Sequence, residues 1–334
     1  MFEQNLQKDA KDLIKIKVLG IGGGGNNAVN QMINSHIEGA DYYLINTEKG
    51  ILERANTNGC KTLQIGREVA QGLGAGANPE VGEKAARESI EEINKILDGC
   101  DLVFLTAGMG GGTGTGAIPV IAEEAKKRGI LTVAVVTTPF KFEGKLRGAR
   151  ANLGIQKLKG NVNSLIVISN DKLLANTDSD VSILNAFKLT DDILRQAIES
   201  ITDLIYSVGT INVDFADVKT VLSYEGFAYM GIGSDEGLNK IESATKKALE
   251  NPLTERKISK AKGVIFNIKG SEDIGLDDIN RSAEIIAEKV SPDANIIFGT
   301  VIDEDLDDKV VVTVVATGVE EEEKEGNKND NKRF

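Results

Sequence analysis

LVFLTAGMGGGTGTGAIPVIAEEAKKR, residues 102–128, sets an apolar run, a glycine cluster and a helical pattern in immediate succession. LVFLTA (102–107) reads as a buried strand, and a helix is expected from about Thr115 to Arg128. Six of the nine residues from Gly108 to Gly116 are glycine. Backbone without Cβ atoms at a helix N-terminus lets phosphate oxygens reach the amide donors and the positive end of the helix dipole. The same order occurs once upstream. IKIKVLGI (14–21) reads as a buried strand, Gly20–Gly25 holds five glycines in six residues, and a helix follows from about Asn26. YYLINT (42–47), LTVAVVT (131–137) and LIVIS (165–169) are further strands. Apolar strands alternating with helices predict an α/β fold with a doubly wound parallel sheet.

The chain has 36 glycines, and eleven of them lie in these two clusters. Elsewhere glycine is ordinary, so the excess has a local cause. The formal net charge of −12 opposes bulk attraction to nucleic acid or to an anionic membrane. A phosphate ligand must then be held by amides and individual cations. No apolar stretch is long enough to span a membrane, and MFEQNLQKDAKD does not read as a signal peptide. Cys60 and Cys100 are far apart, which fits reduced thiols in a cytoplasmic protein. His36 is the only histidine, so histidine catalysis and a multi-histidine metal site are excluded.

Residues 181–208 continue helically without Pro or Gly, with apolar residues at three- and four-residue steps from Ile183 to Val208. Such a helix is about 40 Å long, enough to join two domains. Beyond it, 263–269, 295–302 and 309–316 read as strands, and 237–250 and 277–290 as helices. The expected organisation is a flexible arm (1–13), an α/β domain carrying both glycine clusters (14–180), the connecting helix (181–208), a smaller mixed α/β domain (209–318) and a disordered acidic and polar tail (319–334).

Gly20–Gly25 fits G-x-G-x-x-G. Alone it leaves a dinucleotide-binding oxidoreductase open, with Glu48 as its ribose-binding acid. The second cluster argues against that rival, because a triphosphate has more anionic oxygens to hold than one loop serves. No Walker A pattern occurs. Gly110-Gly111-Gly112-Thr113-Gly114-Thr115-Gly116 matches the tubulin-superfamily signature. GIGGGGNNAVN (20–30), GLGAGANPEVG (72–82), PFKFEGKLR (139–147), NDKLL (170–174), INVDFADVKTV (211–221) and MGIG (230–233) resemble the FtsZ family, the bacterial cell-division homologues of tubulin. The likeness covers roughly residues 14–318.

The resemblance implies a GTPase that assembles head to tail into filaments for cell division, at mid-cell in the cytoplasm, with itself as partner. Gly22, Gly23, Gly24, Gly25, Asn26 and Asn27, with Gly111, Gly112, Thr113 and Gly114, would wrap the phosphates of GTP or GDP. Glu143 and Arg147 would meet the ribose and a neighbouring phosphate, and Asn170, Phe187 and Asp191 the guanine. Guanine presents two N–H donors side by side, which suits a carboxylate, whereas adenine would leave Asp191 unpaired. Asn212, Asp214 and Asp217 would complete the nucleotide site of the next subunit and polarise the attacking water. From spacing alone, Asp214 and Asp217 read equally well as N-terminal capping acids. Mg²⁺ is expected, held largely by phosphates and water. A GTP-binding polymer without useful hydrolysis remains the second alternative.

The sequence also departs from the family. Asn46-Thr47-Glu48 carries Glu where Asp is usual, Ser169 stands in place of Pro, and Gln31 in place of Arg. The tail shows no peptide of the kind through which the family docks on membrane-attached adaptors.

Overall fold

In the computed structural model, the described residues are 14–34, 39–55, 59–175, 181–206, 213–250, 253–254, 256–272 and 274–319. His36, Asn212, the arm and the tail beyond Val319 lie outside them.

The strands are β1 (Ile16–Ile21), β2 (Ala40–Asn46), β3 (Cys60–Gln64), β4 (Leu102–Gly108), β5 (Leu131–Thr138), β6 (Ser164–Ser169), β7 (Gly226–Glu236), β8 (Gly263–Gly270), β9 (Asn295–Ile302) and β10 (Lys309–Thr317). They form one sheet in the order β3-β2-β1-β4-β5-β6-β7-β10-β8-β9. From β3 to β6 every pairing is parallel, and β1 lies between β2 and β4, with Ile16 opposite Ala40 on one side and Leu102 on the other. Every residue of β1 is buried, as parallel strands covered on both faces require.

One face is covered by α3 (Pro79–Glu88), α4 (Ile90–Leu97), α5 (Thr113–Lys127), α6 (Lys145–Lys159), α10 (Lys240–Glu250) and α11 (Leu276–Ala287). On the other lie α1 (Gly22–Asn34), α8 (Ile183–Tyr206) and α9 (Phe215–Leu222). Two short helices, α2 (Lys49–Arg54) and α7 (Asn170–Ala175), follow β2 and β6. The strand order turns outward in both directions from β1 and β4. In open α/β sheets the crevice at the carboxyl ends of such strands receives the ligand.

The expected connecting helix is α8, whose 24 residues span about 36 Å at 1.5 Å each. Its buried positions include Ala186, Thr190, Leu194, Ala197, Ile198 and Ile201. Sequence reading missed β7, in which Gly226, Gly231 and Gly233 dilute the strand pattern. Tight packing explains two of these glycines. A Cβ on Gly231 or Gly233 would sit about 2 Å from the carbonyl oxygens of Ala248 and Ala244 in α10. β7 also joins the two halves of the chain. Its first residues pair with β6, and Tyr229–Glu236 pair with β10. The second half therefore extends the sheet of the first.

Candidate functional site

The loops after β1 and β4 meet face to face. Gly22 opens α1 at φ +72°, a conformation that costs only glycine little, and a Cβ there would lie 2.8 Å from the Gly114 amide nitrogen. A Cβ on Gly24 would lie 3.1 Å from Gly108 N, and one on Gly25 2.3 Å from the Thr106 carbonyl oxygen. In the second loop, Gly112 is pressed against Ala75 and Asn78, while Gly116 lets α3 approach so closely that a Cβ would overlap the Pro79 carbonyl. These glycines let backbones touch. Gly23 and Gly111 differ, for nothing lies within 4 Å of a Cβ built on either. They form the open lip of the cradle.

Side chains brace these loops. Asn26 is buried, and its Nδ2 donates to the Gly20 carbonyl (2.7 Å) and the Ile45 carbonyl (3.3 Å). Asn46 Nδ2 donates to Asn26 Oδ1 (2.7 Å), and Asn46 Oδ1 accepts from the Glu48 amide (3.2 Å). The Asn26 side chain thus fastens β1 to β2, while the neighbouring Asn27 is exposed. The Thr47 and Thr113 hydroxyls share a 2.7 Å hydrogen bond, and Thr115 Oγ1 accepts from Gly110 N at 2.8 Å. The 72–78 loop is held at both ends, by Lys49 N to the Gly72 carbonyl (3.1 Å) and by the Asn78 side chain capping α3 through Glu80 N.

Past β5, Phe140 is fully buried, stacks on Phe142 (centroids 5.0 Å apart) and meets Phe187 edge-on (5.4 Å). Glu143 Oε1 accepts from Phe140 N at 2.9 Å, and Oε2 pairs with Arg147 at 3.0 Å. Arg147 also backs the second loop, since a Cβ on Gly110 would lie 2.8 Å from its Cγ. Asn170 is buried and accepts from the Thr190 hydroxyl (3.3 Å). Asp191, one turn beyond Phe187, is half-buried, and burial raises its carboxyl to about 7.

The loops after β1, β4, β5 and β6 and the start of α8 therefore meet at one edge of the sheet. Two of the expected acids lie elsewhere. Asp214 caps α9, accepting from Ala216 N at 3.2 Å, and Asp217 lies exposed in the first turn. The Tyr206 hydroxyl, at the far end of α8, donates to the Ile14 carbonyl just before β1. The acids therefore follow the end of α8 that is docked at the opposite edge from the glycine loops. Sequence reading noted Asn46 and Thr47 only within the Asn46-Thr47-Glu48 departure from the family and gave no role to Phe140. Phe140 stood in the quoted PFKFEGKLR, but its packing role depends on Phe142 and Phe187 reaching it in space.

Residues 15–178 match the GTPase domain of the Tubulin/FtsZ family, and residues 226–320 match the C-terminal domain of the FtsZ family. The chain belongs to this family. It aligns with FtsZ from M. jannaschii, solved as an empty dimer, at 41% identity and a TM-score of 0.89, over 95% of this chain and 92% of that one. CetZ2 from Haloferax volcanii, solved as a GTPγS-bound protofilament, shares the fold at 20% identity and a TM-score of 0.78, over 92% of this chain and 94% of that one. As a member of the Tubulin/FtsZ family, the chain is a GTPase that binds GTP and GDP. The expected likeness, α/β fold and activity are borne out, and the oxidoreductase reading falls.

Paired glycine substitutions should separate packing from ligand contact. Gly23→Ala should keep or raise thermal stability, because Ala is the better helix former by about 1 kcal/mol, yet weaken GTP binding several-fold. Gly25→Ala should destabilise the fold itself by about 1–3 kcal/mol, because its methyl meets the Thr106 carbonyl. Thermal unfolding beside nucleotide titration would test both.

Proposed function

We propose that the chain polymerises head to tail and that each hydrolytic site is completed by two subunits. The observation that carries this reading is the separation of Asp214 and Asp217 from the glycine cradle. They follow α8, about 36 Å long, and neither forms an ion pair among the described residues. A subunit stacked end to end would bring its Asn212–Asp217 segment to its neighbour's cradle. The dimer reported for M. jannaschii FtsZ is in keeping with self-association.

In this reading Gly22–Gly25, Asn26 and Asn27 of α1 and Gly111–Gly114 bind the phosphates through amides and the Thr113 hydroxyl. Glu143 orients Arg147 towards the ribose and a phosphate. Phe187 stacks on guanine, while Asp191 and Asn170 read its edge. Among the described residues no cluster of three or more acids, histidines or cysteines is fit to hold a metal by itself. The Thr47 and Thr113 hydroxyls and Glu48 instead suit a hydrated Mg²⁺ carried on the phosphates. When bound, that ion offsets phosphate charge. Asp214 and Asp217 of the neighbour orient the attacking water, so catalysis consists of positioning and electrostatics. The filament would serve cell division at mid-cell in the cytoplasm. No helix among the described residues is long and apolar enough to cross a membrane.

Specific GTPase activity should be near zero at low protein concentration and rise above a threshold, together with light scattering. Excess Asp217→Ala protein mixed into the unmutated chain should depress turnover, because mutant acids would face functional cradles. Activity that stays flat across the assembly threshold would defeat the shared site while leaving GTP binding intact.

A further inference from the structure

A cavity of about 550 Å³ opens on the α6 face of the sheet, away from α8. Ile155 of α6, Val167 of β6 and Phe227 of β7 give it an apolar floor. Its rim is polar and carries one charge of each sign, Asp171 and Arg256, both half-buried. Arg256 reaches the cavity because its segment is tied to the end of β6, where Ser169 N donates to the Leu253 carbonyl at 3.0 Å and Ile168 pairs with Thr254. The functional reading above uses none of these residues.

The two charges face one space without meeting. The Arg256 guanidinium carbon lies 3.8 Å from the Phe227 ring centroid, and among the described residues no carboxylate pairs with it. A ring contact consumes no N–H donor, so the guanidinium can still grip a carboxylate through two bonds. Asp171 Oδ1 accepts from the Lys141 amide at 3.1 Å, and among the described residues no cation pairs with the carboxylate. Its second oxygen is left for a donor. Ser169 is buried, and its Oγ accepts from Lys172 N at 3.4 Å, while among the described residues its hydroxyl hydrogen meets no acceptor. The proline usual in the family at this position would bring no donor to the cavity. A simple anion would be repelled by Asp171 and a simple cation by Arg256. A ligand that carries both charges on an apolar body satisfies the rim and the floor together.

We propose that this cavity binds a free amino acid with an apolar side chain. Its carboxylate sits on Arg256 and takes the Ser169 hydroxyl, its ammonium sits on Asp171, and its side chain covers Ile155 and Val167.

The test is calorimetric titration of the full chain with L-leucine and with L-phenylalanine. GDP is kept saturating and the protein below its assembly concentration, so that the nucleotide site is filled throughout. At least one of the two should bind with a Kd of about 1 mM or tighter. Its amide and its N-acetyl derivative each lack one charge, and each should bind about tenfold more weakly or worse. This comparison uses the unmutated chain, so it stands whatever a substitution does to folding. Asp171→Asn, which can still accept from the Lys141 amide, and Arg256→Gln should each weaken binding about tenfold or more, with thermal unfolding measured beside them. Ser169→Ala should weaken it several-fold. Absence of saturable binding by both amino acids, equal binding of the singly charged derivatives, or unchanged affinity in a folded Asp171→Asn or Arg256→Gln variant would overturn the proposal and leave the two residues as solvated surface charges.

Discussion

Asp217→Ala should bind GTP nearly as the unmutated chain does and hydrolyse it about 10²-fold more slowly or worse, the scale at which a positioned acid–base group contributes. Its carboxylate is exposed in the first turn of α9, away from the cradle, so its loss leaves every contact around the nucleotide loops intact. Filaments formed by the variant should persist longer because their GTP is not consumed. Asp214→Ala should also lower turnover, and it should cost about 1 kcal/mol of stability as well, because its side chain caps α9. Turnover is to be measured at saturating GTP, above the assembly threshold, with nucleotide affinity determined separately. Normal hydrolysis in both variants would return the two acids to simple capping.

Base selection should show the second large effect. GTP should bind far more tightly than ATP, and Asp191→Ala should erode the difference by about 1–3 kcal/mol, the cost of losing a buried hydrogen-bonded partner. The preference should also depend on pH, with a definite sign. Burial raises the empty-site Asp191 carboxyl to about 7. Accepting both guanine donors requires the ionised form, so binding releases a proton wherever the empty site is protonated. GTP affinity should therefore be flat above pH 7 and weaken as pH falls below it, approaching tenfold per unit. Asp191→Asn should flatten that profile while binding weakly throughout. Equal affinity for GTP and ATP in the unmutated chain would end the guanine assignment, and a flat pH profile would show the carboxyl ionised before guanine arrives.

Much of the nucleotide-binding half was legible because its signals are local. A parallel strand buried on both faces must be apolar along its whole length, so β1, β4, β5 and β6 stood out from their neighbours. The glycine loops stood out because removing side chains is the only way to bring backbone this close to other backbone or to a ligand. The second half was harder to read. β7 hid behind Gly231 and Gly233, which exist to admit α10 and whose need for space arises only once that helix is in place. β3 is short and mostly half-exposed, so it lacks the apolar run that marks the central strands.

The division of labour within the glycine clusters was beyond reach at that stage. Sequence reading assigned Gly25, Gly112 and Gly114 to phosphate contact together with Gly23 and Gly111. The structure gives the first three a packing reason of their own and leaves open space at the other two. Asn26 likewise read as a ligand residue without its second task, for its side chain fastens β1 to β2.

The sequence by itself determined that this is an α/β chain of the Tubulin/FtsZ family with two glycine-rich helix starts, a long helix after Val181 and acids beyond it. Those features are written in residue type and spacing, to which backbone freedom, periodicity and charge respond directly. Only the tertiary structure decided that one ten-stranded sheet runs through both halves, that Arg147 backs the second glycine loop, and that Asp214 and Asp217 follow the helix end opposite the cradle. These are relations between residues far apart in the chain, fixed by which faces pack together.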